Sequence, residues 1–154
     1  MSQSPTLTDQ ISAEQTRPKV VLECVTLIDG EVKSKSGFGG VALRGAYATI
    51  KAIKRGFVPE VVEALLDDWV VQLEPYYDRW RSGGGTTFSD YVSARSEDVA
   101  EDLLKVTDVR AANTKHTTAK KAYNKMRGSA KKHVIQAVPK LGALLEKHLT
   151  NGAA

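Results

Sequence analysis

Large apolar side chains return every three or four residues through almost the whole of this chain, and that period excludes most folds before any motif is considered. From Lys19 the positions Val21, Cys24, Val25, Ile28 and Val32 share one face of a helix that should run to about Lys33. Ala42, Leu43, Ala46, Tyr47, Ile50, Ile53 and Phe57 repeat the pattern, and Val62, Leu65, Leu66, Trp69 and Leu73 repeat it again. Val99, Leu103 and Val106 carry it to about Ala112. Ala119, Ala122, Tyr123 and Met126 form a narrower stripe, and Ala130, Val134, Ala137, Leu141, Leu144, Leu145 and Leu149 complete the series. The dipeptide Asp29-Gly30 between β-branched runs is also a hairpin signal, but the aliphatics crowded on one helical face outweigh it, and no strand-rich region competes. The chain is therefore expected to be all-α, a single compact bundle of about six or seven helices with a flexible N-terminal tail.

Punctuation residues set the expected boundaries. Pro18 suits a first helical turn because it has no N–H to leave unpaired, and Pro59 opens another helix in the same way. Pro75 should end or kink that helix, leaving an aromatic turn, PYYDRW, and a flexible SGGG link at 82–85. Ser89 and Ser96 have the character of N-caps, the second followed by Glu97 and Asp98 where a helix dipole favours acids. Gly128-Ser129 is expected to break and recap the chain, and Pro139 to kink its last helix. Residues 1–16 hold only two large aliphatics and read as a disordered or loosely docked tail, 17–149 as one all-helical domain, and 150–154 as a frayed C-terminus.

No apolar run suits a signal peptide or a membrane span, so the cytoplasm is the default expectation. Cys24 is the single cysteine and lies in the apolar run VVLECVTLI, where a small buried hydrophobe is the expected role.

The net charge of +4 conceals large opposing blocks. Residues 1–32 carry two bases and five acids, and 33–55 carry six bases and no acid. Residues 56–104 carry three bases and eleven acids, and 105–154 eleven bases and two acids. Function has to be argued from such patches rather than from the total.

Three patches invite a chemical reading. Gly37-Phe38-Gly39-Gly40-Val41-Ala42 has the G-x-G-x-x-A form of a dinucleotide loop, but the preceding EVKSKS is not a strand and no βαβ alternation follows. Close helix packing by Gly40, Ala42, Gly45 and Ala46 is the favoured explanation, with Lys35, Ser36, Gly37, Gly39, Gly40 and Arg44 kept as a secondary anion site at a helix start. The acids Glu60, Glu63, Asp67 and Glu74 share a face, and no Glu-x-x-His, H-E-x-x-H or Cys/His cluster accompanies them, so no metal, cofactor or catalytic role is assigned. That face is expected to be solvated or to dock on the basic helix of residues 41–55. Trp69 is expected in the core, whereas Tyr76, Tyr77 and Trp80 beside the glycine link are candidates to cover a cleft. His116, His133 and His148 have no orienting acid near them in sequence and are read as surface or packing residues.

The basic C-terminal third carries the strongest functional indication. Lys120, Lys121, Lys125, Arg127, Lys131 and Lys132 fall within thirteen residues that contain no acid, with Lys115 just upstream. Phosphate backbones reward such a surface through counterion release, without any base-reading residue. The stretches KSKSGFGGVALRGAYATIKAIKRGFVPE and SAKKHVIQAVPKLGALLEKH resemble a family of small all-helical bacterial proteins of uncharacterised function, over about Lys19 to Leu149. The resemblance implies the fold and transfers no catalytic residue. The expected function is thus a non-enzymatic helical binding protein contacting a polyanion, with nucleic acid as the leading candidate. The alternatives are a protein-interaction or self-association module pairing acidic and basic helix faces, and a small-ligand or nucleotide binder at the glycine-rich helix start.

Overall fold

The chain was studied as a computed structural model, which describes residues 5–35 and 37–149. Among the described residues there are seven α-helices and no strand: α1 Leu7–Ile11, α2 Arg17–Ser34, α3 Gly37–Lys51, α4 Phe57–Arg81, α5 Phe88–Ser93, α6 Ser96–Asn113 and α7 Thr117–Glu146. The all-helical expectation holds. The period read from the sequence becomes a core in which α4 contributes Val62, Leu65, Leu66, Val70, Leu73, Tyr76, Tyr77 and Trp80, all buried. Val20, Val21 and Cys24 of α2, Val99 and Leu103 of α6, and Val138 and Leu145 of α7 meet them.

The N-terminal segment departs from the tail reading. Leu7 and Ile11 are spaced by four, lie on one side of α1 and are wholly buried at 0% exposure. Thr6 caps the helix by accepting from the Asp9 N–H, and the Asp9 carboxylate accepts from the Thr6 N–H in return. The carboxylate of Glu74 accepts from the Leu7 N–H, the Thr8 N–H and the Thr8 hydroxyl, each at 2.9 Å. Two aliphatics sufficed because they meet a prepared surface on α4, and composition alone did not register this. Residues 1–4 of the expected tail and 150–154 of the expected frayed end lie outside the described residues.

Two expected interruptions are absent, the end of α4 at Pro75 and the break at Gly128-Ser129. α4 runs through Pro75 to Arg81. The carbonyl that loses its partner belongs to Val71, whose side chain is 54% exposed, so the gap falls on a solvated face. α7 runs unbroken through Gly128, Ser129 and Pro139, and packs along α2, α3, α5 and α6, so tertiary contacts outweigh a glycine penalty of about 1 kcal/mol. Ser89 lies inside α5, whose N-cap is Thr87, and Ser96 begins α6 without capping it, its hydroxyl donating instead to the Ser93 carbonyl at 2.6 Å.

The two longest helices, α4 and α7, each pack on α2, α3, α5 and α6 but make no extended contact with one another. They face each other across the interior.

Candidate functional site

Between α4 and α7 lies a cavity of about 400 Å³, walled also by α2, α3 and α6. Its lining is mostly aliphatic: Leu27 and Ile28 from α2, Leu65, Leu66 and Leu73 from α4, Leu103 and Leu104 from α6, Val134 and Leu141 from α7. Small residues on the facing helices, Ala111, Ala119, Ala130 and Ala137, leave space that larger ones would fill. Trp69 is half-buried and turns to this wall. Glu60, Arg110 and His116 are lining residues that are also exposed, and they mark its open end beside the start of α4 and the α6–α7 junction.

Most polar groups of the wall are already satisfied. The Tyr47 hydroxyl donates to Asp29 at 2.5 Å and that of Tyr123 to Asp108 at 2.6 Å, carboxylates that are not themselves part of the lining, so both rings present apolar faces. Burial, then these carboxylates, push both phenols well above their ordinary range. The Trp69 indole N–H donates to the Thr107 hydroxyl at 3.2 Å. Burial pushes the Cys24 thiol up to about 12, with Glu23 adding to the effect, so the thiol at this wall behaves as the expected inert hydrophobe.

Toward the α2–α3 link the wall turns polar. Glu31 is buried, and burial raises its pKa, but hydrogen bonds from Lys140 and Lys35 outweigh this and hold its carboxyl below its ordinary value. The Lys35 ammonium lies 3.3 Å from Glu31 and 2.5 Å from the Gln136 side-chain oxygen. Beside them stands His133, which also lines the cavity.

The secondary anion site does not assemble as a phosphate cradle. Gly37 has φ +75°, a conformation that favours glycine, and a Cβ on Gly40 would lie 2.6 Å from the Lys35 carbonyl carbon. These two glycines therefore shape the tight α2–α3 turn. Arg44 donates to the Lys35 carbonyl, Lys35 is held by Glu31 and Gln136, and Gly39 is exposed with open space around it. Ser36 lies outside the described residues. Gly45, expected to admit a neighbouring helix, also faces open space; the close approach falls at Gly142, where a Cβ would lie 2.7 Å from a Val92 methyl.

The aromatic expectations hold for Trp69, which packs against the core, and fail for the other three. Tyr76, Tyr77 and Trp80 are core residues at 5, 0 and 8% exposure and cover no cleft, because the helix expected to stop at Pro75 carries them inward. Trp69, packed against the core, also borders the cavity.

The basic third divides into two faces of α7. Arg127 forms a forked pair with Asp108 of α6 at 2.7 and 3.1 Å, and Lys131 reaches Glu97 at 3.7 Å and Glu101 at 3.2 Å. Lys120 is partly buried at the cavity wall, its ammonium 3.4 Å from the Ala112 carbonyl at the end of α6. Lys121, Lys125 and Lys132 are exposed, make no ion pair among the described residues, and fall within about 40° of arc, roughly 120° around the helix from the other three. The acidic face of α4 is largely engaged: Arg17 pairs with Asp67 and Glu63, Glu74 holds α1, and Lys54 lies 3.1 Å from Glu60. Of these contacts, only the last involves the basic segment of 41–55.

Among the described residues no group of three or more His, Cys, Asp or Glu is placed to hold a metal ion, and no helix is long and apolar enough to cross a membrane. No curated protein and no solved structure matches the chain. Residues 7–149 match a family of unknown function, DUF6918. That span starts at the first residue of α1 and ends at buried Leu149, so the cavity and the lysine face both fall inside it. The chain belongs to the DUF6918 family.

Proposed function

We propose that this protein binds a small, largely apolar molecule in the cavity between α4 and α7. The observation that carries the reading is the volume of about 400 Å³ with an aliphatic wall, inside the range of about 300–1,000 Å³ common to small-molecule sites. Protein interiors rarely keep large voids. The cavity is open at one end, so its aliphatic wall is left facing solvent, at a cost of about 25 cal/mol per Å² of apolar surface. Water is a poor occupant, because it needs two to four polar partners and this wall offers few outside its ends. An apolar occupant removes the cost.

Tryptophan fluorescence tests the reading directly. A brominated long-chain alcohol, a contact quencher, should quench Trp69 saturably and leave Trp80 unaffected. Trp69→Phe should abolish the quenching, while Trp80→Phe should preserve it. Absence of saturable quenching in the unmodified protein overturns the proposal.

A second reading is favoured by the free lysines: α7 contacts a polyanion such as nucleic acid through Lys121, Lys125 and Lys132. Binding of labelled duplex DNA and single-stranded RNA, read by anisotropy, should then weaken steeply with salt, by about one power of the salt concentration for each phosphate neutralised. Reversing the three lysines together to Glu should flatten that dependence. No binding at low salt would end this reading and leave the cavity untouched.

A further inference from the structure

The shape of the cavity and the charges at its open end restrict the occupant further. Lining residues on α7 run from Ala119 to Leu145, about seven turns, so the volume of about 400 Å³ is drawn out along the helix and does not form a round chamber. A narrow space of that kind suits one extended hydrocarbon chain better than a broad ring system or a pair of chains.

Among the described residues, two acids stand in the wall, and each is already matched. Glu31 is bonded by Lys35 and Lys140 at the α2–α3 end, and the Glu60 carboxylate lies 3.1 Å from the Lys54 ammonium at the other. The lining cations of the open end have no acid. Arg110, on the last turn of α6, is exposed, and its guanidinium makes no hydrogen bond or ion pair among the described residues. Lys120, on the first turn of α7, is partly buried and meets the Ala112 carbonyl at 3.4 Å, a neutral acceptor that leaves its charge uncompensated. Carbonyls at the end of a helix favour a nearby cation, and Lys120 serves those of α6; Arg110 has no corresponding task.

The α3–α4 and α6–α7 links flank this opening and are held together by Phe57 and His116, whose rings meet edge to face at 5.0 Å. They add Arg55 and Lys115, both exposed and without an ion pair among the described residues. Arg and Lys lay an apolar stem along a hydrophobic surface and keep the charged head in water. At the rim of an aliphatic channel they mark the place where a tail would end and a negative head begin.

We infer that the cavity takes a single-chain anionic amphiphile, its tail drawn along the channel between α4 and α7 and its head held at the mouth by Arg110 and Lys120. This rests on the reading of the cavity as an apolar ligand site and adds the headgroup charge that the mouth selects.

Titration calorimetry with dodecanoate, dodecanol and dodecylammonium tests it at about pH 8, where the first is an anion and the last a cation. Dodecanoate should bind roughly three- to tenfold more tightly than dodecanol, the scale of two partly solvated ion pairs, and dodecylammonium more weakly than either. Arg110→Gln, at an exposed side chain that holds nothing in the fold, should reduce the preference for dodecanoate over dodecanol. Arg110→Gln with Lys120→Gln should abolish it and leave dodecanol binding unchanged. Lys121→Gln with Lys125→Gln removes the same charge from another face of α7 and should keep the preference. Equal binding of dodecanoate and dodecanol by the unmodified protein would overturn the anionic head and leave the apolar site standing, as would a preference that survives loss of both Arg110 and Lys120. Failure of all three amphiphiles to bind would overturn the head assignment and the cavity reading together.

Discussion

At the scale of single residues, two glycines on one helix carry opposite consequences. A Cβ on Gly128 meets nothing within 4 Å, whereas one on Gly142 would lie 2.7 Å from a Val92 methyl and 3.0 Å from the Ser89 Cα. Gly128→Ala should therefore stabilise the protein by about 0.5–1 kcal/mol through helix propensity alone. Gly142→Ala should destabilise it by about 1–3 kcal/mol, because α5 has to retreat from α7. Urea denaturation of the two variants side by side gives both signs. In sequence nothing marks which of the pair meets another helix, Gly128 lying between Arg127 and Ser129 and Gly142 between Leu141 and Ala143. Only the distance to α5 separates them. His133 shows the same limit: it follows Lys131 and Lys132, and its place on the inner wall depends on which face of α7 is turned to the cavity.

At the scale of elements, α1 is a five-residue helix too short to persist alone. Its stability is tertiary: Leu7 and Ile11 fill the core and Glu74 accepts three hydrogen bonds at its start. Glu74→Ala should cost about 1–3 kcal/mol, since part-buried N–H groups lose their acceptor, and native-state hydrogen exchange should show residues around 7–11 opening before the rest of the bundle. Removing residues 1–12 should destabilise the protein more than Glu74→Ala alone, as it also removes two fully buried side chains. A truncated protein as stable as the full chain would return the segment to the status of a tail. Leu7 and Ile11 were visible as an i, i+4 pair. What made them structural was an acceptor on α4, far along the chain.

At the scale of the whole molecule, the charge blocks largely neutralise one another across helix pairs. Arg127 and Lys131 meet acids of α6, Arg17 meets Asp67, and Lys140 meets Glu31. The six-residue basic run thus reduces to three free lysines on one face. The interior is left incompletely filled because α4 and α7 stand apart. Ala137→Leu, on the cavity wall, makes this quantitative. In a filled core the extra methylenes would cost about 1–3 kcal/mol; in the cavity they should raise the stability of the unliganded protein and weaken binding of the brominated alcohol. Denaturation with and without that ligand reads both effects, and a destabilised variant with unchanged binding would mean that the wall at Ala137 is already packed.

The sequence by itself determined the fold class, because a 3.6-residue apolar period is a local property that each segment carries independently. It also placed the start of α2 beside Pro18 and kept Cys24 in the core. Tertiary structure alone decided that α4 and α7 persist through their prolines, that Tyr76, Tyr77 and Trp80 are core, and that an apolar stripe on α7 faces a space rather than a neighbour. An inward face reads the same in sequence whether or not something fills the volume opposite. The separation of two helices is fixed by everything packed between them, and no single stretch of the chain encodes it.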